Sequence, residues 1–213
     1  YDEAVTLGDA IRESEACKGL AAVQYDEGDF RAALENAVRA EQIAKEYGVS
    51  RGLRAILEMK CWCLFRLGNL EAAREAGESA VEVSKELNEP GQLAQSLSVL
   101  GLVLMVLGQN QQAADHFEQA LAIASDPMDV VGVTNNLGVI AVALGDYERA
   151  ALRFEEALSL ARQHNIAEAE PVFRSNLGGA HVGLGYYELA ESELRHVIDF
   201  VGDSGFSDLS ETY

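Results

Sequence analysis

Apolar residues recur along this chain at spacings of three and four, as in Ala150, Phe154, Ala157, Leu158 and Ala161, and that period predicts helices rather than strands. The helical segments are not independent of one another. Five stretches, opening "YDEGDFRAAL", "FRLGNLEAAR", "MVLGQNQQAA", "VALGDYERAA" and "VGLGYYELAE", align without a gap on Gly28, Gly68, Gly108, Gly145 and Gly185, at intervals of 40, 40, 37 and 40 residues. A period held through five units predicts stacked supersecondary units rather than one closed core.

Fixed offsets from the glycine define each unit. Five residues after it stand Ala33, Ala73, Ala113, Ala150 and Ala190; twelve after it, Ala40, Ala80, Ala120, Ala157 and Val197; seven before it, Ala21, Cys61, Gly101, Gly138 and Gly178. Small residues at three recurring places let two helices of one unit approach closely, while larger ones such as Phe117, Phe154 and Leu194 fill the gap to the next. The glycine is where a first helix stops, because only glycine enters the left-handed conformation without penalty. Asp29, Asn69 and Asp146 follow directly and are expected to cap the second helix. "EYGVS", "LNEPG", "SDPMD" and "HNIAE" break one unit from the next, Pro90 and Pro127 suit helix starts, and Pro171 requires a helix beginning close to it. Ten helices are predicted, in repeats over about 3–47, 50–87, 90–125, 128–164 and 167–201, with 202–213 the start of a further helix or a tail.

These features resemble the tetratricopeptide repeat: "NLGVIAVALGDYERAALRFEEALSLA" is close to that family's pattern, and all five units share its small-residue positions. The usual repeat is about 34 residues. Units near 40 resemble the longer-helix variety of bacterial maltose-regulator-type activators, signalling ATPases and kinesin light chains. The first two units depart most, with Lys60 where the others have Leu and Gly77 where a large residue is expected. The resemblance implies one array over residues 1–213, an all-α, right-handed superhelical solenoid of five helix-turn-helix repeats. It also implies a concave side lined by the first helix of each pair.

Carried over by position, the lining residues stand thirteen, ten, nine, six, three and two before each glycine. Trp62, Phe65, Leu102, Met105, Val139, Val142 and Val182 then form an apolar stripe, and such a stripe marks an interaction surface. Asn136 and Asn176 fall at the same place in consecutive units, with Asn135 beside the first. In peptide-binding members of the family an asparagine there grips the backbone of an extended ligand, since an amide donates and accepts at once. The alternative is that each Asn bonds a neighbouring helix. Lys18, Arg66 and Arg174 do not fall in the arrangement that captures an acidic C-terminal tail.

Composition narrows the function further. With 35 Asp and Glu against 16 Lys and Arg, the net charge of -19 repels phosphate backbones and anionic headgroups, so neither nucleic acid nor a membrane surface is an expected partner. No window approaches the ~18–20 apolar residues of a spanning helix. The absence of a basic, apolar leader and the three helix-borne cysteines Cys17, Cys61 and Cys63 point to the cytoplasm, and the missing initiator Met to an excerpt of a longer polypeptide. Cys61 and Cys63 stand about 200° apart on a helix, unlike a redox pair or zinc knuckle. The four histidines lack metal-ligand spacing, and "GLG" at 183–185 has no Lys-Ser/Thr to make a phosphate loop. No enzyme, metal or cofactor is expected. The expected function is a protein-protein interaction module binding a peptide or helix in the concave groove. The alternative is a sensor or oligomerisation arm of a larger signalling protein, a transcription regulator or signalling ATPase. Self-association through the C-terminal edge, where Phe206 and Leu209 could begin a helix, is a third possibility.

Overall fold

The computed structural model describes residues 2–48 and 52–203; the expected further helix around Phe206 and Leu209 lies outside the described residues. Among those described, the chain is all α-helix apart from turns and one 3-10 turn. The helices are α1 (Asp2–Asp26), α2 (Phe30–Glu46), α3 (Leu53–Arg66), α4 (Leu70–Leu87), α5 (Pro90–Val106), α6 (Asn110–Ile123), α7 (Pro127–Ala143), α8 (Tyr147–Gln163), α9 (Glu170–Leu184) and α10 (Tyr187–Asp203). They form two compact units, Tyr1–His116 and Phe117–Tyr213, whose boundary falls inside α6. In the first unit α1 packs on α2, α2 on α3, α3 on α4 and α4 on α5; in the second, α7 packs on α8, α8 on α9 and α9 on α10.

Each predicted turn glycine is left-handed, with φ between 75° and 83°. The following N–H folds back by five residues onto the first helix: Asp29 to the Gln24 carbonyl, Asn69 to Leu64, Gln109 to Leu104, Asp146 to Ala141 and Tyr186 to His181, all at 2.8–2.9 Å. This pattern satisfies carbonyls that a helix end leaves bare. Asp29 and Asp146 then cap α2 and α8, accepting from the N–H of Ala32 and Arg149 at 3.1 Å. Asn69 does not cap α4, although its backbone angles are nearly the same.

The breaks between repeats have a register of their own. Twenty residues past Gly28, Gly68 and Gly145 stand Gly48, Asn88 and Asn165, each with positive φ. The 37-residue interval lacks this residue; there Asp126 caps α7 by accepting from Met128 N–H at 2.8 Å, with Pro127 at the first position. Pro171 is accommodated as expected, in the first turn of α9 after a 3-10 turn at Ala167–Ala169.

The small positions are where paired helices touch. A Cβ on Gly138 would lie 2.5 Å from Cε1 of Phe154, so that glycine of α7 is the socket for the largest fully buried side chain of α8. At the same offsets a Cβ on Gly178 would stand 3.1 Å from Leu194. In the second repeat the partition is reversed: Cys61 is on the first helix and Gly77 on the second, and a Cβ on Gly77 would stand 3.6 Å from the Cys61 sulfur and 3.3 Å from Leu100. The glycine that looks out of place therefore faces the cysteine of its own repeat and Leu100 of the next.

Lys60, the other departure, is explained by the preceding repeat. Its Nζ lies 2.7 Å from a carboxylate oxygen of Glu41, whose other oxygen is 2.6 Å from Lys45. Burial works to raise the Glu41 pKa, but the hydrogen bonds from Lys45 and Lys60 outweigh it and hold the carboxyl below its ordinary value.

Two outcomes follow. Gly138→Leu should destabilise the chain by about 1–3 kcal/mol through overpacking. In urea unfolding, Phe154→Ala should relieve part of that loss in the double variant, and strictly additive losses would show that the two side chains do not share the space. Because the folded Glu41 pKa lies below the unfolded one, its contribution is complete above the unfolded value of about 4.3 and disappears as pH falls through the folded value. Urea midpoints should therefore drop across that window, and Lys60→Met should lower the midpoint at neutral pH and flatten the acid limb.

Candidate functional site

The expected lining residues fall on two faces, one in each unit. In the second unit α7 and α9 lie on either side of a cavity of about 380 Å³ lined by Val139, Val142, Tyr147, Phe154, Ser175, Asn176, Gly179, Val182 and Gly183. Val139 and Val142 are half-buried against the cluster that includes Ala141, Phe154 and Leu177, whereas Val182 is exposed. The ring of Tyr147 lies against Gly183 so closely that a Cβ there would overlap it. Position 183 therefore has to be glycine for Tyr147 to form this floor.

The asparagines are linked by their amides. Asn176 Nδ2 donates to Asn135 Oδ1 at 2.8 Å, and Asn135 Nδ2 reaches Asn136 Oδ1 at 3.5 Å, a marginal distance. Asn135 is buried, while Asn136 and Asn176 are half-buried, and Asn176 is the one that lines the cavity. The structure thus contains the helix-to-helix bond of the alternative reading. The bond engages one N–H of Asn176 and leaves its side chain on the cavity wall.

In the first unit Trp62 and Phe65 stack edge to face, with ring centroids 5.8 Å apart, half-buried against a cluster that includes Cys61, Leu64 and Val103. Leu102 and Met105 are half-buried on α5. The guanidinium of Arg66 lies over Phe30 at 4.2 Å and near Tyr25 at 5.9 Å, a cation held on aromatic faces. Phe30 and Tyr147 were not among the residues expected to line the groove. Both stand two residues after the turn glycine and meet the residue two before the next one, Arg66 or Gly183. The signal was available in the aromatic recurrence Phe30, Tyr147, Tyr187 at that offset.

The remaining cations near these faces have partners. Arg174 is held by Glu170 at 2.8 Å and Glu193 at 2.5 Å, and Lys18 by Glu15 at 2.5 Å. Hydrogen bonding from Arg162, then from Arg174, keeps the Glu170 carboxyl below its ordinary pKa against the opposing effect of burial. A ligand carboxylate would have to displace these.

Burial, reinforced by Glu58 and Cys63, pushes the Cys61 thiol up to about 12, and burial raises Cys63 to about 11. Among the described residues no three His, Cys, Asp or Glu side chains are grouped to hold a metal ion, and no helix is long and apolar enough to cross a membrane. His116 and His181 each keep a buried Nδ1 without a hydrogen-bond partner.

Residues 62–126 and residues 134–168 each match a model of the family described as tetratricopeptide repeat. Those two stretches are tetratricopeptide repeats, and the all-helical, helix-turn-helix fold of the described residues is that of tetratricopeptide-repeat solenoids. No curated protein matches the sequence. Among solved structures, BtubC (BKLC) from P. vanneervenii is similar with 21% identity and a TM-score of 0.77, over 96% of this chain and 93% of that one. A Podosopora anserina putative kinesin light chain with nearly identical TPR-like repeats is 17% identical with a TM-score of 0.74, over 89% and 95%. A Rap protein complexed with Competence and Sporulation Factor is 17% identical with a TM-score of 0.76, over 89% of this chain and 54% of that chain. This chain therefore spans about half the length of the Rap protein.

With thiolates held back by burial, Cys61 and Cys63 should react with a disulfide reagent at pH 8 many times more slowly in the folded chain than in denaturant. Equal rates in the two states, followed by thiol release, would show that the thiols are accessible.

Proposed function

We propose that this chain is a protein-interaction module that takes an extended peptide or a helix on its first-helix face. The binding site in this reading is the α7/α9 cavity, with Val139, Val142 and Val182 gripping an apolar side chain and Asn176 bonding the ligand backbone. The observation that carries it is the cavity itself, an apolar recess with an amide on its wall. Its volume suits one or two side chains rather than a whole domain, and sites of this kind combine apolar walls with few polar groups. Trp62, Phe65, Leu102 and Met105 extend the reading to the first unit, where rigid aromatic rings and an adaptable Met suit peptide recognition. The net charge of -19 favours a partner that is not itself acidic. The Rap protein, similar in fold, is solved in complex with Competence and Sporulation Factor.

The second reading, a sensor arm of a larger signalling protein, is favoured by one observation: the Rap protein has about twice the span of this chain. In that reading the cavity receives a small ligand or a neighbouring domain.

Peptides selected from a random displayed library against the whole chain distinguish these. Val142→Asp should weaken the selected peptides at least tenfold, and Asn176→Ala several-fold, on the order of 1 kcal/mol for one hydrogen bond. Asn176→Ala also leaves the buried Asn135 short of a partner, so thermal melting must be followed in parallel. Selected peptides that bind both variants as tightly as the parent would remove the cavity from the site, and a library yielding no binder favours the sensor arm.

A further inference from the structure

The glycines inside α7 and α9 seat side chains from other helices, with two exceptions. Gly138 seats Phe154 of α8, Gly178 seats Leu194 of α10 and Gly183 seats Tyr147 of α8, and at each a Cβ would stand closer to the seated side chain than ordinary van der Waals contact. At Gly132 and Gly179 a Cβ would meet nothing within 4 Å. Gly132 lies in the second turn of α7 and does not line the α7/α9 cavity, whereas Gly179 lines it.

A glycine inside a helix is a loss unless something requires it. It gives up more chain entropy on folding than alanine does and weakens the helix. Packing supplies the reason at Gly138, Gly178 and Gly183. It supplies none at Gly179, whose φ is not left-handed and over which the recess stands open.

The recess also defines what fits it. No charged side chain lines it, in a chain whose net charge is -19. A carboxylate or ammonium entering there would lose water and gain no opposite charge, so the side chain it suits is uncharged. The rings already seated nearby give the shape. Gly183 stands four residues from Gly179, one turn along the same face of α9, and there the Tyr147 ring lies on bare backbone; Phe154 lies likewise on Gly138. Both rings line the recess. A planar ring comes this close to a helix backbone only where the Cβ is missing, and a third ring on Gly179 would join two others in the contacts that aromatic pairs favour.

We propose that Gly179 is the seat of an aromatic side chain of the peptide partner, laid on the α9 backbone as Tyr147 is laid on Gly183. Gly179 is then a specificity-determining residue: it admits the ring, and any side chain in its place excludes it. This rests on the reading of the α7/α9 cavity as a peptide site and adds the class of residue that the peptide must carry.

Peptides selected from a random displayed library against the full chain should carry Phe, Tyr or Trp at one recurrent position. Gly179→Ala should raise the melting temperature by about 2–4 °C, as relief of an unforced helix glycine does, and weaken those peptides at least about tenfold. The two changes run in opposite directions, which a purely structural role for the glycine does not allow. Gly132→Ala, the same substitution outside the recess, should raise the melting temperature in the same way and leave the affinity unchanged. Replacing the aromatic residue of the peptide by Val should weaken binding to the parent chain and remove most of the difference between parent and Gly179→Ala, because the added methyl and the ring compete for one space.

Peptides that Val142→Asp weakens but that bind Gly179→Ala as tightly as the parent overturn the proposal and leave the cavity reading standing. The same holds if those peptides share no aromatic position, or if Gly179→Ala lowers the melting temperature and so shows that the fold itself requires the glycine. Peptides indifferent to both Val142→Asp and Gly179→Ala, or a library that yields no binder, overturn the two readings together.

Discussion

The close approach of the two helices within each repeat is the constraint on which the rest depends. Helices that meet through glycine or alanine on one side bring their axes nearer than large side chains on both would allow, and the volume removed must reappear on the partner. Gly138 with Phe154 and Gly178 with Leu194 place the bulk on the second helix, and Cys61 with Gly77 shifts it to the first. What is kept is a small residue on at least one side of the contact. Because the pair is kept at fixed offsets from a left-handed glycine, the same backbone turn serves every repeat, and the faces on either side fall in register. The cavity between α7 and α9 depends on this register, since its floor is Phe154, seated in the Gly138 socket, and Tyr147, seated over Gly183.

The repetition made the fold largely legible from sequence. A turn glycine, a small residue five later and another twelve later are local signals repeated five times, so each unit corroborates the others. What was not legible were matters decided by pairs of residues far apart. Gly77 and Lys60 look like departures in a column of aligned residues, and become intelligible only beside Cys61 and Glu41. Asn69 occupies a capping place in nearly the same backbone conformation as Asp29 yet makes no capping bond, a difference that an alignment on shape does not show. The candidate site was legible in part for the same reason. Position alone puts Val139, Val142 and Asn176 on one face, and the structure adds that Asn176 is already bonded to Asn135. Tyr147 was missed because it belongs to a second helix, where the repeat pattern suggests structure rather than surface.

Two charged side chains inside the array are each answered twice. Glu41 is met by two lysines, and Arg174 by two glutamates from different helices. Buried charges are tolerated only with such partners, and losing one partner costs more than never having had the pair. These contacts add specificity to an array whose apolar residues alone are much alike from repeat to repeat.

The Glu41–Lys60 junction has a consequence for how such a chain can grow. Most repeats here present interchangeable apolar faces, so a tandem duplication of the fourth would set Leu158 against a second Leu137, and nothing would be stranded. Duplicating the second would instead press a lysine against Val81, leaving an ammonium buried without its carboxylate. The order of the first two repeats is thereby locked, as a keyed joint locks the order of parts, while the later ones remain free to multiply. One ion pair separates the portion of the array that can be lengthened by copying from the portion that cannot.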